Sequence, residues 1–155
     1  MVKIKVKITG KAVTDTYARK LGLVFDGELG GYGFWGTHPE YLVKDPTTGA
    51  DFIIQPTGFT WEGEYDLSPG THTLEAAPTV GAGLDWQFEV FINDKSLGVQ
   101  SPVSASKPYR ATFTVEAPPP TLAETISSMM STIVGLMMLV MVISMLTSVL
   151  KAFKK

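Results

Sequence analysis

The chain has 155 residues, a formal net charge of −2 and no cysteine. That length suits one domain of ordinary size plus an appendage, and the lack of cysteine excludes disulfides, thiolate catalysis and Cys-ligated zinc. Residues 1–120 carry ten Lys/Arg against fourteen Asp/Glu, too little positive field for a specific nucleic-acid-binding head.

The N-terminus alternates Val2, Ile4, Val6 and Ile8 with Lys3, Lys5 and Lys7. A period of two predicts a strand with one buried and one wet face. The lysines are expected to discourage pairing of that strand with other chains. A secretory signal needs a continuous apolar run of about 7–15 residues, so no cleavable signal is expected. Thr14–Leu21 is read as a short helical turn. The stretch DGELGGYGFWG (26–36) sets five glycines around Tyr32, Phe34 and Trp35. It is either a protruding aromatic loop that binds a protein, sugar or lipid surface, or a bulged strand whose glycines permit close packing. The second reading is preferred, and Trp61 and Trp86 are likewise read as core. Turn signals follow at Asp45-Pro46-Thr47-Thr48-Gly49, Pro56-Thr57-Gly58, Ser68-Pro69-Gly70 and Asn93-Asp94-Lys95. Strand alternation returns in Trp86, Phe88, Val90 and Ile92, and again in Ala111, Phe113 and Val115. Short strands with turns at this spacing predict a mainly β head over residues 1–116, an antiparallel sandwich of immunoglobulin-like or jelly-roll-like type.

The segments GEYDLSPGTHTLEA (63–76) and DWQFEVFINDKSLG (85–98) resemble immunoglobulin-like accessory domains of prokaryotic and viral surface proteins. There, a strand enters a Pro-Gly turn and returns as a His-x-Leu strand, and a later aromatic strand ends in a tight Asn-Asp hairpin. The resemblance covers about a third of the chain and implies a fold class, not an activity.

Nothing in the head has the spacing of a catalytic or metal site, and no cofactor is expected. His38 and His72 are the two histidines, and neither has a second ligand at metal spacing. His72 is placed on a strand as a partly exposed structural residue. Glu62 and Glu64 share a strand face and are read as solvated rather than as a catalytic carboxylate pair.

Ala117-Pro118-Pro119-Pro120-Thr121 forms a stiff, extended stalk (117–121). Thr121 followed by Glu124 predicts a capping box and a helix start, which gives a final segment at 122–155. From Ile126 to Leu150 there are 25 residues without a charge, and apolar side chains fall on every side. At 1.5 Å per residue the run exceeds the roughly 30 Å of a bilayer core. A single C-terminal transmembrane helix is preferred to a helix buried in a protein bundle. Its lipid-facing positions include Ile126, Met130, Ile133, Val134, Leu136, Leu139, Val142, Leu146 and Leu150, with Lys151, Lys154 and Lys155 as interfacial anchors. Ser127, Ser131 and Gly135 recur every four residues, the spacing of a close helix–helix contact; the alternative, slightly preferred, is that small residues are simply frequent in spanning helices.

The expected partners are a lipid bilayer and further copies or other coat proteins. Basic residues after the span favour a cytoplasmic C-terminus, which conflicts with an unsignalled head crossing the membrane. If the head instead stays where it was made, the chain is tail-anchored and the three lysines cross; a virion or similar assembly that takes up lipid inside the cell relaxes that conflict. Sparse Asn and Gln, one and three, point to a hot habitat, against which stand seven Met; the setting expected is a virus or a prokaryotic, in particular archaeal, surface. The function expected is a non-enzymatic, membrane-anchored structural protein of a virion coat or cell envelope. The alternative is an anchored recognition module using Tyr32, Phe34 and Trp35.

Overall fold

The computed structural model describes residues 1–29, 39–79 and 84–153. The chain divides into two compact units, Met1–Ala117 and Pro118–Lys155. The first is built from β1 (Val2–Ala12), β2 (Arg19–Phe25), β3 (Ile53–Ile54), β4 (Phe59–Leu67), β5 (Gly70–Pro78), β6 (Trp86–Ile92), β7 (Lys95–Val103) and β8 (Tyr109–Val115), with one 3₁₀ turn at Pro39–Tyr41. The second holds a single helix, α1 (Leu122–Ala152).

The strands form two antiparallel four-stranded sheets, ordered β4-β1-β6-β7 and β3-β2-β5-β8. One core lies between them. The first sheet contributes Ile4, Val6, Ile8, Trp61, Trp86, Phe88 and Val90, and the second Leu21, Leu23, Leu74, Ala76, Phe113 and Val115, all buried. Each large apolar side chain so placed stabilises the fold by about 1.5–3 kcal/mol relative to exposure. The alternation read from the sequence is the alternation observed: β6 buries Trp86, Phe88, Val90 and Ile92 and leaves the residues between them half-exposed.

β1 is an inner strand, flanked by β4 and β6, so its lysines do not guard an edge. In the β1–β4 register Lys3, Lys5 and Lys7 stand opposite Asp66, Glu64 and Glu62. Lys3 pairs with Glu64 at 3.0 Å and Lys5 with Glu62 at 3.0 Å, while Lys7 reaches Glu62 at 3.8 Å. These contacts are exposed and solvent-screened, so they add little to stability. Their structural effect is to make the outer face of the sheet an alternating ladder that is close to neutral.

Residues 14–18 form no helical turn, contrary to the sequence expectation, and Arg19–Phe25 is a strand. Asp15 decides this locally. Its carboxylate accepts the Tyr17 N–H at 2.9 Å, the Arg19 Nε–H at 2.8 Å and the Trp86 indole N–H at 3.2 Å. An Asx-type turn thereby competes with helix, and Leu21 and Leu23 are drawn into the sheet core.

Two glycines are dictated by close approach. A Cβ on Gly10 would lie 2.5 Å from the Gln87 carbonyl oxygen and 2.9 Å from the Phe59 ring. One on Gly63 would lie 2.6 Å from the Trp61 ring, whose Nε1–H donates to the Lys44 carbonyl at 3.0 Å. The β6–β7 hairpin turns on Asn93 (φ 49°) and Asp94 (φ 64°), consecutive left-handed residues of the kind a two-residue hairpin needs.

Candidate functional site: an apolar C-terminal helix

α1 begins at a capping box. Thr121 is extended (φ −64°, ψ 157°); its hydroxyl accepts the Glu124 N–H at 3.2 Å, and the Glu124 carboxylate accepts the Thr121 N–H at 2.7 Å. Two otherwise unpaired donors are satisfied at the helix start. At the other end the Phe153 N–H reaches the Val149 carbonyl at 3.2 Å. The 31 residues between make a rod of about 46 Å, and the uncharged run from Ile126 to Leu150 spans about 37 Å.

No residue of α1 is buried. Ile126 is 49 % exposed, Leu139 55 % and Leu150 65 %, and the same holds for Met130, Ile133, Val134, Leu136, Val142 and Leu146. Apolar side chains occupy the whole circumference, so no stripe is set aside for a protein core. The helix meets the length and composition of a membrane span. Lys151 stands in its last turn; Lys154 and Lys155 lie outside the described residues.

The hydroxyl groups within the run are partly satisfied by the helix itself. Thr132 donates to the Ser128 carbonyl at 3.1 Å, Thr147 to Ile143 at 2.8 Å and Ser148 to Ser144 at 2.9 Å. Such back-bonding removes the need for water at those positions. The sequence showed the residue types, but the choice of partner depends on rotamer and is visible only in the structure. Ser127 and Ser131 line a shallow groove with Ala123, Ile126, Met130 and Val134, and a Cβ on Gly135 would meet open space. The small-residue row is therefore present on one side, with Ser127, Ser131 and Gly135 all exposed.

In the head, Glu62 and Glu64 are the partners of the β1 lysines described above. His72 lies on β5 and is 8 % exposed, more buried than the sequence suggested. No group of three or more His, Asp or Glu is arranged to hold a metal among the described residues. Tyr32, Phe34, Trp35 and His38 lie outside the described residues. Two polar arrangements, each around one buried side chain, were missed by sequence reasoning. Glu75, 2 % exposed, accepts the Arg110 Nε–H at 2.6 Å and the Leu29 N–H at 2.9 Å, and Arg110 Nη2 also contacts it. His72 bonds Asp26 at 2.6 Å. The only signals in the sequence are a lone carboxylate in Leu74-Glu75-Ala76-Ala77-Pro78 and a histidine two residues before Leu74. No family model matches the chain, and no curated protein or solved structure matches it either.

Proposed function

We propose that this is a non-enzymatic structural protein, anchored in a lipid bilayer by α1 and displaying its β head as a unit of a virion coat or cell-surface assembly. The observation that carries the reading is the 31-residue helix without a buried residue. Leaving that much apolar surface in water is far more costly than any compensation the helix offers, at about 25 cal/mol per Å². Hydrocarbon, or other copies of the helix within hydrocarbon, removes the cost. The head supports a structural role through its outer sheet face, where Glu62 and Glu64 are engaged in ion pairs with the β1 lysines.

Two measurements test this. The purified full-length chain mixed with lipid vesicles is expected to float with them on a density gradient and to require detergent otherwise; a freely soluble chain indifferent to lipid refutes the anchor. Electron microscopy of the same vesicles at high protein density is expected to show ordered arrays of heads. Heads that remain isolated at every density refute the coat assignment while leaving the anchor intact.

A further inference from the structure

We propose that His72 is a proton-operated latch: as an imidazolium it fastens the end of β2 and the β4–β5 turn to β5, and loss of its proton loosens residues 26–29 and 68–73 while the rest of the sandwich stays folded. The argument is one of donors and acceptors. His72 Nδ1 lies 2.6 Å from Asp26 Oδ2, and Nε2 lies 2.8 Å from the Ser68 carbonyl oxygen. A carbonyl oxygen can only accept, and an ionised carboxylate can only accept. Both ring nitrogens must therefore carry protons. A neutral imidazole has one N–H, so it would set a lone pair against one of the two oxygens.

The surroundings fix where the charge sits. The Asp26 side chain is half-exposed and its second oxygen accepts the Thr73 N–H at 2.8 Å, which keeps the carboxylate ionised. The ring itself is enclosed and packs on Phe113 at 5.9 Å between centroids. Among the described residues, the chain after β2 presents Asp26 to the ring, the β4–β5 turn presents the Ser68 carbonyl, and β8 presents the uncharged Phe113 ring. Glu28, Glu75 and Arg110 border the shallow hollow beyond Asp26, with Arg110 turned to the two glutamates. Tyr65, in the same aromatic group through Phe25, stays neutral because burial pushes its hydroxyl up to about 12.

What the latch holds needs holding. Asp26 is in the left-handed region (φ 52°), an unfavourable backbone for a residue with a side chain. Its N–H donates to the Thr73 carbonyl at 3.0 Å, so Asp26 adds one more rung to the β2–β5 ladder. The hydrogen bond to Asp26, then that to Ser68, raises the His72 pKa above its ordinary value, and the bond from His72 lowers that of Asp26. The stabilisation from a raised histidine is complete below about pH 6.5 and is lost as pH climbs through the raised value. The stabilisation from a lowered aspartate is present above about pH 3.9 and is lost as pH falls through the lowered value. The latch is therefore closed in the mildly acidic to neutral range and opens on the alkaline side.

The test uses the full chain in detergent micelles, with His38→Gln removing the other histidine signal from the NMR spectrum. His72 is expected to carry protons on both nitrogens at pH 6 and to titrate above 6.5. Through that titration the hydrogen-exchange protection of the Thr73 amide is expected to fall at least tenfold, while that of Val90 in the core is unchanged. Asp26→Asn is expected to return the His72 titration to or below the ordinary value, and His72→Gln to leave Thr73 weakly protected at every pH. A singly protonated ring at pH 6, unchanged Thr73 protection across the wild-type titration, or an Asp26→Asn variant with the His72 titration unmoved each overturns the proposal.

Discussion

The sharpest test of the anchor is a pair of lysines in the middle of α1. The uncharged run holds eleven Leu, Ile and Val residues: Ile126, Ile133, Ile143, Val134, Val140, Val142, Val149, Leu136, Leu139, Leu146 and Leu150. At about −0.3 to −0.6 kcal/mol each, they favour membrane insertion by roughly 3–7 kcal/mol. A lysine at the helix centre opposes insertion by about 2.5–3.5 kcal/mol. Leu139→Lys alone, counting the lost leucine, therefore removes about 3–4 kcal/mol, more than half of the mid-range driving force, and Leu139→Lys with Val142→Lys, at about 6–8 kcal/mol, cancels it. The assay is retention of the chain by vesicles after an alkaline wash. Wild type is expected to stay bound, the single variant to be partly lost and the double variant to be stripped almost completely. Ile126→Lys serves as the control of depth, because a lysine near the end of the run can extend its amine to the interface and costs little. Equal retention of wild type and double variant refutes the reasoning. So does equal damage from Ile126→Lys and Leu139→Lys, since a depth-dependent penalty is the signature of a bilayer.

Three further outcomes follow from the head. Gly63→Ala places a methyl 2.6 Å from the Trp61 ring, which cannot swing away without giving up its bond to Lys44, so thermal unfolding is expected to show a loss of about 1–3 kcal/mol; the same substitution in a Trp61→Ala background should add almost nothing. Arg110→Met is expected to cost more than Glu75→Gln in a denaturant titration, because the first leaves a buried carboxylate with only the Leu29 N–H among the described residues, at about 1–3 kcal/mol, whereas the second returns a largely exposed guanidinium to water. Burial acts to raise the Asp15 pKa, but the bonds from Arg19, the Tyr17 N–H and Trp86 outweigh it and hold the group below its ordinary value. The stability it contributes is present above about pH 3.9 and lost as pH falls through the lowered value; Asp15→Asn should therefore flatten the acid limb of stability against pH.

How far the sequence could be read depended on whether a signal was periodic or relational. Val2, Ile4, Val6 and Ile8 announce a buried strand face because period two has no other economical explanation, and Thr121 with Glu124 marks a helix start because both bonds are local. The lysines between them were legible as a wet face but not as the inner rung of a sheet, since sheet order depends on which distant strand supplies Glu62 and Glu64. Residues 14–21 misled for the same reason. Their helical appearance ended at Asp15, whose partners include Trp86, 71 residues away. The exchange of bonds between Asp26, His72 and Ser68 was illegible altogether, because a histidine on a strand carries no mark of the oxygens its two nitrogens will meet. The apolar helix was legible in full as an element. What its surface touches is a property of its surroundings, which is why the anchor rests on a solvent argument and a test.

The composition of α1 also bears on how it would sit in a bilayer. Its hydroxyls are unevenly spread: Thr125, Ser127, Ser128, Ser131 and Thr132 crowd the first third, and only Ser144, Thr147 and Ser148 follow. The later group includes two side chains that return their protons to carbonyls four residues back, so it adds little polar surface to that part of the rod. From Ile133 to Leu150 the rod is 18 residues long, or about 27 Å, close to the hydrocarbon thickness. Lys151 then falls at one boundary and the hydroxyl-rich turns at the other, with no tilt required to hide surplus length. On this placement, the first two to three turns of α1 would continue as helix through the headgroup region. The chain has no native cysteine, so single cysteines can report depth directly. Ser128→Cys in vesicles is expected to react with a water-soluble thiol reagent, and Leu139→Cys to stay protected until detergent is added. Protection at both positions would shift the immersed segment toward the N-terminal end and require a tilted helix. Reaction at both would remove the bilayer from the account.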